Sequence, residues 1–242
     1  MTGIMRFAKD LVVQQVEGIL DLVYPPACGI CGHEADAADR LVCRSCWNLG
    51  EGPPEPFCLT CRRFLVGSLT CTCPPPPIVV FSVGPYDGPL KKILHDLKFA
   101  GLRPLAVTIG QKLAKRLQAG RAELGLDLIV PVPLHDSRLW KRGFNQAGEI
   151  AYGIGRVLNL PIEPDILYMT RKTHQQAKLA ADEREANIRG AYGVNDPGGR
   201  LAGRAILVVD DITTTGATLR EVARVLTVAG AGRALAAVAA AA

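Results

Sequence analysis

Four aliphatic residues in succession, Ile206-Leu207-Val208-Val209, run straight into two carboxylates and a threonine-rich turn, Asp210-Asp211-Ile212-Thr213-Thr214-Thr215-Gly216-Ala217-Thr218. A strand apolar at every position reads as buried on both faces. From Leu219 to Val228 the apolar residues recur at helical spacing. Open α/β sheets bind ligands at such strand–turn–helix junctions, outside the carboxyl ends of the strands. The turn offers backbone N–H groups, hydroxyls and a helix N-terminus, a combination that suits an anion, and a phosphate fits there. Asp210 and Asp211 repel a phosphate but can accept hydrogen bonds from sugar hydroxyls. On its residues alone, the stretch reads as a pocket for a phosphorylated ribose.

A second strand–loop–helix unit follows the same logic. Leu128-Ile129-Val130 reads as a short buried strand, and Asn145 can cap a helix running to Leu158. The loop between them carries Arg138, Lys141 and Arg142, which can clamp a multiply charged phosphate group. Upstream, the pattern predicts a strand over 78–83 and helices over 90–99 and 104–117. Residues 170–190 form a polar segment too long and too charged for an inert turn; it reads as a lid, or as an exposed helix over 180–188. Residues 234–242 are nearly all alanine, a helix-preferring composition placed where a last sheet strand is expected.

All eight cysteines fall between positions 28 and 73. Cys28-x2-Cys31 with Cys43-x2-Cys46 has the spacing of a tetrahedral thiolate site, each knuckle presenting two sulfurs to one ion. Cys58-x2-Cys61 with Cys71-x-Cys73 makes a second, its last knuckle one residue short. Spacing does not fix which knuckles share an ion, so an interleaved arrangement is open, and His33 could substitute as a ligand. A disulfide framework is the other use of eight cysteines, but nothing in the sequence indicates secretion. Zinc here would be structural, since a segment so rich in Pro, Gly and Cys has little core of its own. Pro74 to Pro77 then forms a stiff linker.

The ends and the charge balance complete this reading. Residues 1–24 read as an amphipathic helix, with charges at Arg6, Lys9, Asp10, Glu17 and Asp21 that interrupt any signal-peptide core. A membrane-surface helix is the rival, although the face is not notably basic. No apolar run is long enough to span a bilayer, and a cytoplasmic protein is expected. Residues 1–77 hold 6 Lys+Arg against 8 Asp+Glu, and the remainder holds 22 against 15, so the basic half carries the phosphate-like turn.

With these residues in place the chain resembles the ComF/GntX group of the type I phosphoribosyltransferases. The resemblance is carried by Ile19-Leu20-Asp21-Leu22-Val23-Tyr24-Pro25-Pro26, the double zinc ribbon, Val130-Pro131-Val132-Pro133-Leu134 and Arg142-Gly143-Phe144-Asn145-Gln146. Gln176, Leu179, Arg184, Asn187 and the Val208–Thr218 stretch add to it. It implies an α/β type I phosphoribosyltransferase fold, an open and mostly parallel sheet flanked by helices with a flexible hood, preceded by a small double zinc ribbon. The implied domains are 1–24, the ribbon and linker over 25–77, and the transferase over 78–242 with its hood at about 165–195.

The resemblance also implies roles. Asp210 and Asp211 would hold the ribose hydroxyls of phosphoribosyl pyrophosphate (PRPP) and act in catalysis. Thr213, Thr214, Thr215, Gly216, Ala217 and Thr218 would cradle its 5′-phosphate. Arg138, Lys141 and Arg142 would bind the pyrophosphate together with Mg²⁺, and Arg171, Gln176 and Arg184 would face the acceptor, a nucleobase or amine. Lys141 stands where the group more usually has Arg, which keeps the charge but loses the bidentate fork. The alternative is a non-catalytic accessory protein that binds PRPP or handles single-stranded DNA with the competence machinery. The ribbon would then be its contact surface, though it is net acidic and poor in aromatics, whereas single-strand binding favours a basic groove with stacking rings.

Overall fold

The computed structural model describes residues 26–35, 40–53, 55–74, 77–118, 124–173 and 181–242. The amphipathic helix expected over 1–24 lies outside them. The chain forms two compact units, Met1–Leu49 and Gly50–Ala242. In the first, the Cys28 knuckle is closed by hydrogen bonds from Cys28 N to His33 O (2.6 Å) and from Gly29 N to Leu41 O (2.9 Å). A short helix, α1 (Arg44–Gly50), follows from the second knuckle.

The larger unit begins upstream of the proline run. Gly52 N donates to the Val83 carbonyl at 2.9 Å. Arg116 donates to the carbonyls of Pro53 (2.8 Å), Ser82 (2.5 Å) and Gly52 (3.1 Å). Lys112 pairs with Glu51 at 2.6 Å. Residues 50–53 are thereby stitched to the sheet, and the second cysteine quartet belongs to the same unit as the strand–turn–helix motifs.

That sheet contains β1 (Phe57–Cys58), β2 (Val79–Pro85), β3 (Leu128–Pro131), β6 (Ala205–Thr213) and β7 (Arg233–Ala241) in the order β1-β2-β7-β6-β3. Only β1 is antiparallel to its neighbour. Helices α2 (Gly88–Phe99), α3 (Arg103–Gln118), α4 (Asp136–Arg142), α5 (Gln146–Leu158), α6 (Ala181–Ile188) and α7 (Ala217–Val228) complete the unit. A small antiparallel pair, β4 (Leu167–Met169) and β5 (Tyr192–Val194), flanks α6 within the segment expected to form the hood. This is the open, mostly parallel α/β architecture expected from the sequence, with a short unforeseen helix, α4, in the cationic loop.

The alanine-rich tail is a strand, and an interior one. β7 pairs with β6 from Ala205↔Arg233 to Thr213↔Ala241 and with β2 from Val80↔Ala236 to Pro85↔Ala241. Alanine's helix preference is worth only tenths of a kcal/mol per residue against most alternatives. A ladder on each edge pairs the backbone groups that point to either side, and short side chains let helices close on both faces. The sheet's edge therefore does not lie at this tail.

Strand alternation fixes the two faces. Val80, Leu128, Val130, Ile206, Val208, Ala236 and Val238 join one apolar cluster with Leu219, Val222 and Leu226 of α7 and with Ile188 and Tyr192 of the hood segment. The intervening Ile129, Leu207, Val209 and Ala237 are fully buried on the other face. There α2, α3 and α5 supply the fully buried Leu94, Leu97, Ile109 and Ile150.

Candidate functional site

The site lies where the parallel strands end. β6 runs past the aliphatic stretch to Thr213, so Asp210 and Asp211 are strand residues rather than its terminus. Successive strand positions face opposite ways. Asp210 shares the parity of Ile206 and Val208, toward α7 and the hood, and Asp211 that of Leu207 and Val209, toward α2 and α5.

Their surroundings agree with that parity. Asp211 Oδ2 pairs with Lys98 Nζ at 2.7 Å, and its charge also reaches Arg142. Asp210 Oδ1 accepts from the Asp211 N–H at 2.8 Å. Burial, reinforced by the charge of Asp211, pushes the Asp210 carboxyl up to about 8, against smaller lowering contributions from that hydrogen bond and from Lys98. Tyr192, the first residue of β5, is buried beside Asp210 and forms a side-chain hydrogen bond with Thr218. Its phenol is held well above its ordinary value, by burial first and by Asp210 second.

The threonine turn has its own bracing. Gly216 is left-handed (φ 82°) and caps α7. A β-carbon there would stand 2.7 Å from Leu59 Cδ1, so glycine suits both the left-handed backbone and the close approach of Leu59. Thr215 Oγ1 accepts from Ala217 N at 3.4 Å, and Thr215 O accepts from Arg220 at 2.9 Å. Thr213 is buried and accepts at its carbonyl from Ala242 N (2.9 Å).

The cationic loop converges on the same place. His135 caps α4 through Nδ1, which accepts from Ser137 N at 3.2 Å. Asn145 caps α5 as expected: Oδ1 accepts from Ala147 N at 3.1 Å while Nδ2 donates to Val132 O at 3.0 Å. Arg142 donates to Gln146 Oε1 at 2.6 Å. Burial lowers its guanidinium below the ordinary value; Asp211 opposes that shift and Arg138 adds to it. Arg138 donates to the Thr173 carbonyl at 2.7 Å, linking the loop to the segment leaving β4. Lys141 is exposed. Gln146 is 1% exposed, and its Nε2 has no hydrogen-bond partner among the described residues. A buried donor left over beside Arg142 suits a polar ligand.

The hood residues are placed unequally. Arg171 donates to the carbonyls of Asn187 (3.1 Å) and Arg189 (2.9 Å), which braces the segment against itself. Arg184 falls in α6, and Gln176 lies outside the described residues. Glu221 of α7 accepts from Gly190 N at 2.8 Å and pairs with Arg224 at 2.7 Å, anchoring the segment's far end.

Sequence reasoning missed Lys98, Tyr192 and Arg220. Lys98 reads as an ordinary last-turn helix cation, and nothing local marks Tyr192. For Arg220, its position in the first turn of α7 was the available signal.

The cysteines form the two quartets in sequence order, without interleaving. Within each of Cys28/Cys31/Cys43/Cys46 and Cys58/Cys61/Cys71/Cys73 the sulfurs all lie within 4.8 Å of one another, and none is in a disulfide. A tetrahedral site with zinc–sulfur bonds of about 2.3 Å places its sulfurs about 3.8 Å apart, and the 3.6 Å separations of Cys31–Cys43 and Cys61–Cys71 fit it. Cys28 is lowered to about 6, backbone N–H groups outweighing its burial. Cys61 is lowered to about 6 chiefly by Arg63, whereas hydrogen bonds donated by the Cys73 thiol to Cys71 and Cys61 raise it to about 12. Crowded thiolates of this kind are accommodated by a divalent cation. Both quartets fit structural zinc, the shortened second knuckle included, and His33 is not in either.

Comparison with known proteins agrees with this picture. Residues 19–73 match the double zinc ribbon domain. The chain is 32% identical over 203 residues to the DNA utilization protein YhgH of Escherichia coli K12, covering 82% of this chain and 83% of that protein. It is 30% identical over 147 residues to competence protein F of Haemophilus influenzae, covering 60% of this chain and 64% of that protein. Among solved structures it is similar to the glutamine PRPP amidotransferase of B. subtilis, at 21% identity and a TM-score of 0.35 over 55% of this chain and 25% of that one. It is similar also to an alanine mutant of an HPRT at an invariant aspartic acid, at 15% identity and a TM-score of 0.36 over 56% and 67% of the two chains. Both of these likenesses are too remote to carry an argument. Among the described residues no helix is long and apolar enough to cross a membrane. On its zinc ribbon and its similarity to YhgH over 82% of its length, the chain belongs to the competence protein ComF family.

Proposed function

We propose that the protein is a PRPP-dependent phosphoribosyltransferase that moves the 5-phosphoribosyl group to a nitrogen of a base or amine. The observation that carries this reading is the meeting, at the ends of β3 and β6, of a carboxylate pair, a half-buried arginine pair and a glycine-capped threonine turn. Residues 213–218 receive the 5′-phosphate on backbone N–H groups and hydroxyls. Asp210 and Asp211 accept hydrogen bonds from the ribose hydroxyls. Arg138, Lys141 and Arg142 receive the diphosphate.

The bond from C1′ to the diphosphate oxygen breaks with its electron pair leaving on pyrophosphate, and a bond from C1′ to the acceptor nitrogen forms as that nitrogen gives up its proton to the departing pyrophosphate. Positive charge grows on the ribose ring in between, and the nearby carboxylates stabilise that state more than the ground state. The guanidinium groups take up the charge developing on the leaving group. Mg²⁺ bound with PRPP would add to that neutralisation, and the carboxylates supply the hard oxygen donors that suit it. Lys98 would give up its pairing with Asp211 to admit the ribose. The hood, with Arg171, Gln176 and Arg184, would cover the acceptor and exclude water.

The test is pyrophosphate release from PRPP and Mg²⁺ across a panel of nucleobases and amines. Acceptor-dependent release above the hydrolysis background is expected, and a flat response across a broad panel sinks the transfer reading. A second reading has one observation in its favour. Trp140 is 92% exposed in the cationic loop, between Leu139 and Lys141, and an exposed ring among cations suits stacking with single-stranded bases. The names of YhgH and competence protein F point the same way. On this reading Trp140→Ala weakens a salt-sensitive oligonucleotide complex about tenfold, at ~1–3 kcal/mol per stacked base. Absence of any complex at low salt removes it.

A further inference from the structure

We infer that Arg62, carried on the second zinc knuckle, is a positioning residue that sets the phosphate turn in its binding conformation. This rests on the proposed role of residues 213–218 only for the identity of the ligand. The knuckle Cys58-Leu59-Thr60-Cys61-Arg62 does not stand apart from the transferase unit: it reaches the turn at two points. Leu59, 2% exposed, presses its side chain into the space opposite Gly216. Arg62 donates from Nη2 to the Thr214 carbonyl, and also to the Ala242 carbonyl at 2.7 Å.

The chain accepts a local cost to do this. Arg62 is left-handed, with φ 61°, a conformation that a non-glycine residue rarely adopts without compensation. Its N–H closes the knuckle on Cys58 O at 2.9 Å, and its guanidinium lies 5.4 Å from the centroid of the Phe57 ring. Phe57 is in turn held in the sheet by its pairing with Val80.

The consequence for the turn follows from peptide planarity. In a trans peptide the carbonyl of one residue and the N–H of the next point in opposite directions. With the Thr214 carbonyl held toward the knuckle, the Thr215 N–H is turned away from it. Arg220 holds the Thr215 carbonyl at 2.9 Å and fixes the Gly216 N–H in the same manner. Two arginines from different elements thus orient two successive amides, the arrangement from which anion-binding backbone nests are made. The four sulfurs that flank Arg62 in sequence make the knuckle's rigidity depend on its metal.

The experiment compares wild type, Arg62→Ala, Arg62→Lys and Cys73→Ser as full-length protein, each prepared with zinc supplied. Hydrogen exchange at residues 213–218 is measured without ligand, PRPP–Mg²⁺ affinity by calorimetry, and zinc content by metal analysis. For R62A, exchange about tenfold faster confined to the turn, about tenfold weaker PRPP binding and unchanged zinc are expected. R62K should fall between, since its ammonium is more strongly hydrated and sits on a more flexible stem than the planar guanidinium. C73S should lose one zinc and show the same turn signature. R62A with wild-type exchange in the turn overturns the inference. Because that readout needs no ligand, a protein that fails to bind PRPP at all would count against the proposed function and leave this test decisive.

Discussion

Replacing both carboxylates, Asp210→Asn with Asp211→Asn, is expected to abolish most PRPP affinity while leaving zinc content unchanged. Hydrogen bonds to a charged acceptor are worth about 1.5–3 kcal/mol each. Where both carboxylates are ionised, at pH 8 and above, losing two weakens binding by about 3 kcal/mol, roughly 100-fold in Kd. Losing the Lys98–Asp211 pair costs stability at every pH, but the pH dependence should change in a separate way. Asp210 is raised to about 8 in the folded protein by burial and by Asp211, against about 3.9 in an unfolded chain. Between those values the folded state holds a proton that the unfolded state has lost, so this group's contribution erodes as pH rises from 4 through 8. Asparagines remove that erosion, and the variant's stability relative to wild type should grow over that interval. Wild-type affinity should itself rise toward pH 8, as Asp210 ionises to accept ribose hydroxyls, and the variant should lose that slope. Calorimetry across pH, with thermal unfolding in parallel, measures both. Retained affinity in the double variant would remove the ribose assignment.

The elements that build this site differed in how openly the sequence displayed them. β6, β3 and the helices after them were legible because continuous aliphatic runs and the Asn145 cap are local signals, and local chemistry decides them. Cysteine spacing likewise carried the knuckles, since a knuckle is a property of four or five consecutive residues, but which knuckles share a site came from the fold. Three features were not legible, each because a distant partner decides it. The alanine tail is a strand because β2 and β6 both offer it a ladder, which outweighs alanine's helical preference. Asp210 and Asp211 look alike in sequence; strand parity and their neighbours separate them, one set beside Tyr192 and the other beside Lys98. The second knuckle reads as part of a separate ribbon, yet Arg62 and Leu59 lie against the turn more than 150 residues downstream. Composition shows the cost of folding such a segment alone. It cannot show which surface completes it.

The crossing of α3 and α5 sets local preference against packing most directly, and Gly153→Ala is the variant in which magnitudes choose between them. Helix propensity alone predicts a gain of about 1 kcal/mol from replacing an interior glycine. The added carbon, however, would overlap the Val107 carbonyl oxygen and stand 3.0 Å from the Gly110 Cα, both backbone atoms of α3. No side chain can swing aside to make room. The helices must part, and the buried Leu105, Leu113, Ile150 and Ile154 lose contact along the seam. Overpacking ordinarily costs about 1–3 kcal/mol, and more where only backbone can yield. A net loss of about 2–3 kcal/mol is expected, read as a Tm lower by roughly 5–10 °C for a chain of this size. Gly148, in the same helix, is the control: a β-carbon there meets nothing closer than Asn145 Cβ at 3.6 Å, so Gly148→Ala should hold or raise the Tm. Because Asn145 ties the start of α5 to Val132, a displaced α5 also shifts the cationic loop. Folded Gly153→Ala should therefore bind PRPP several-fold more weakly, and Gly148→Ala should not. Equal gains in Tm for both variants would mean that the helices are not in backbone contact at Gly153.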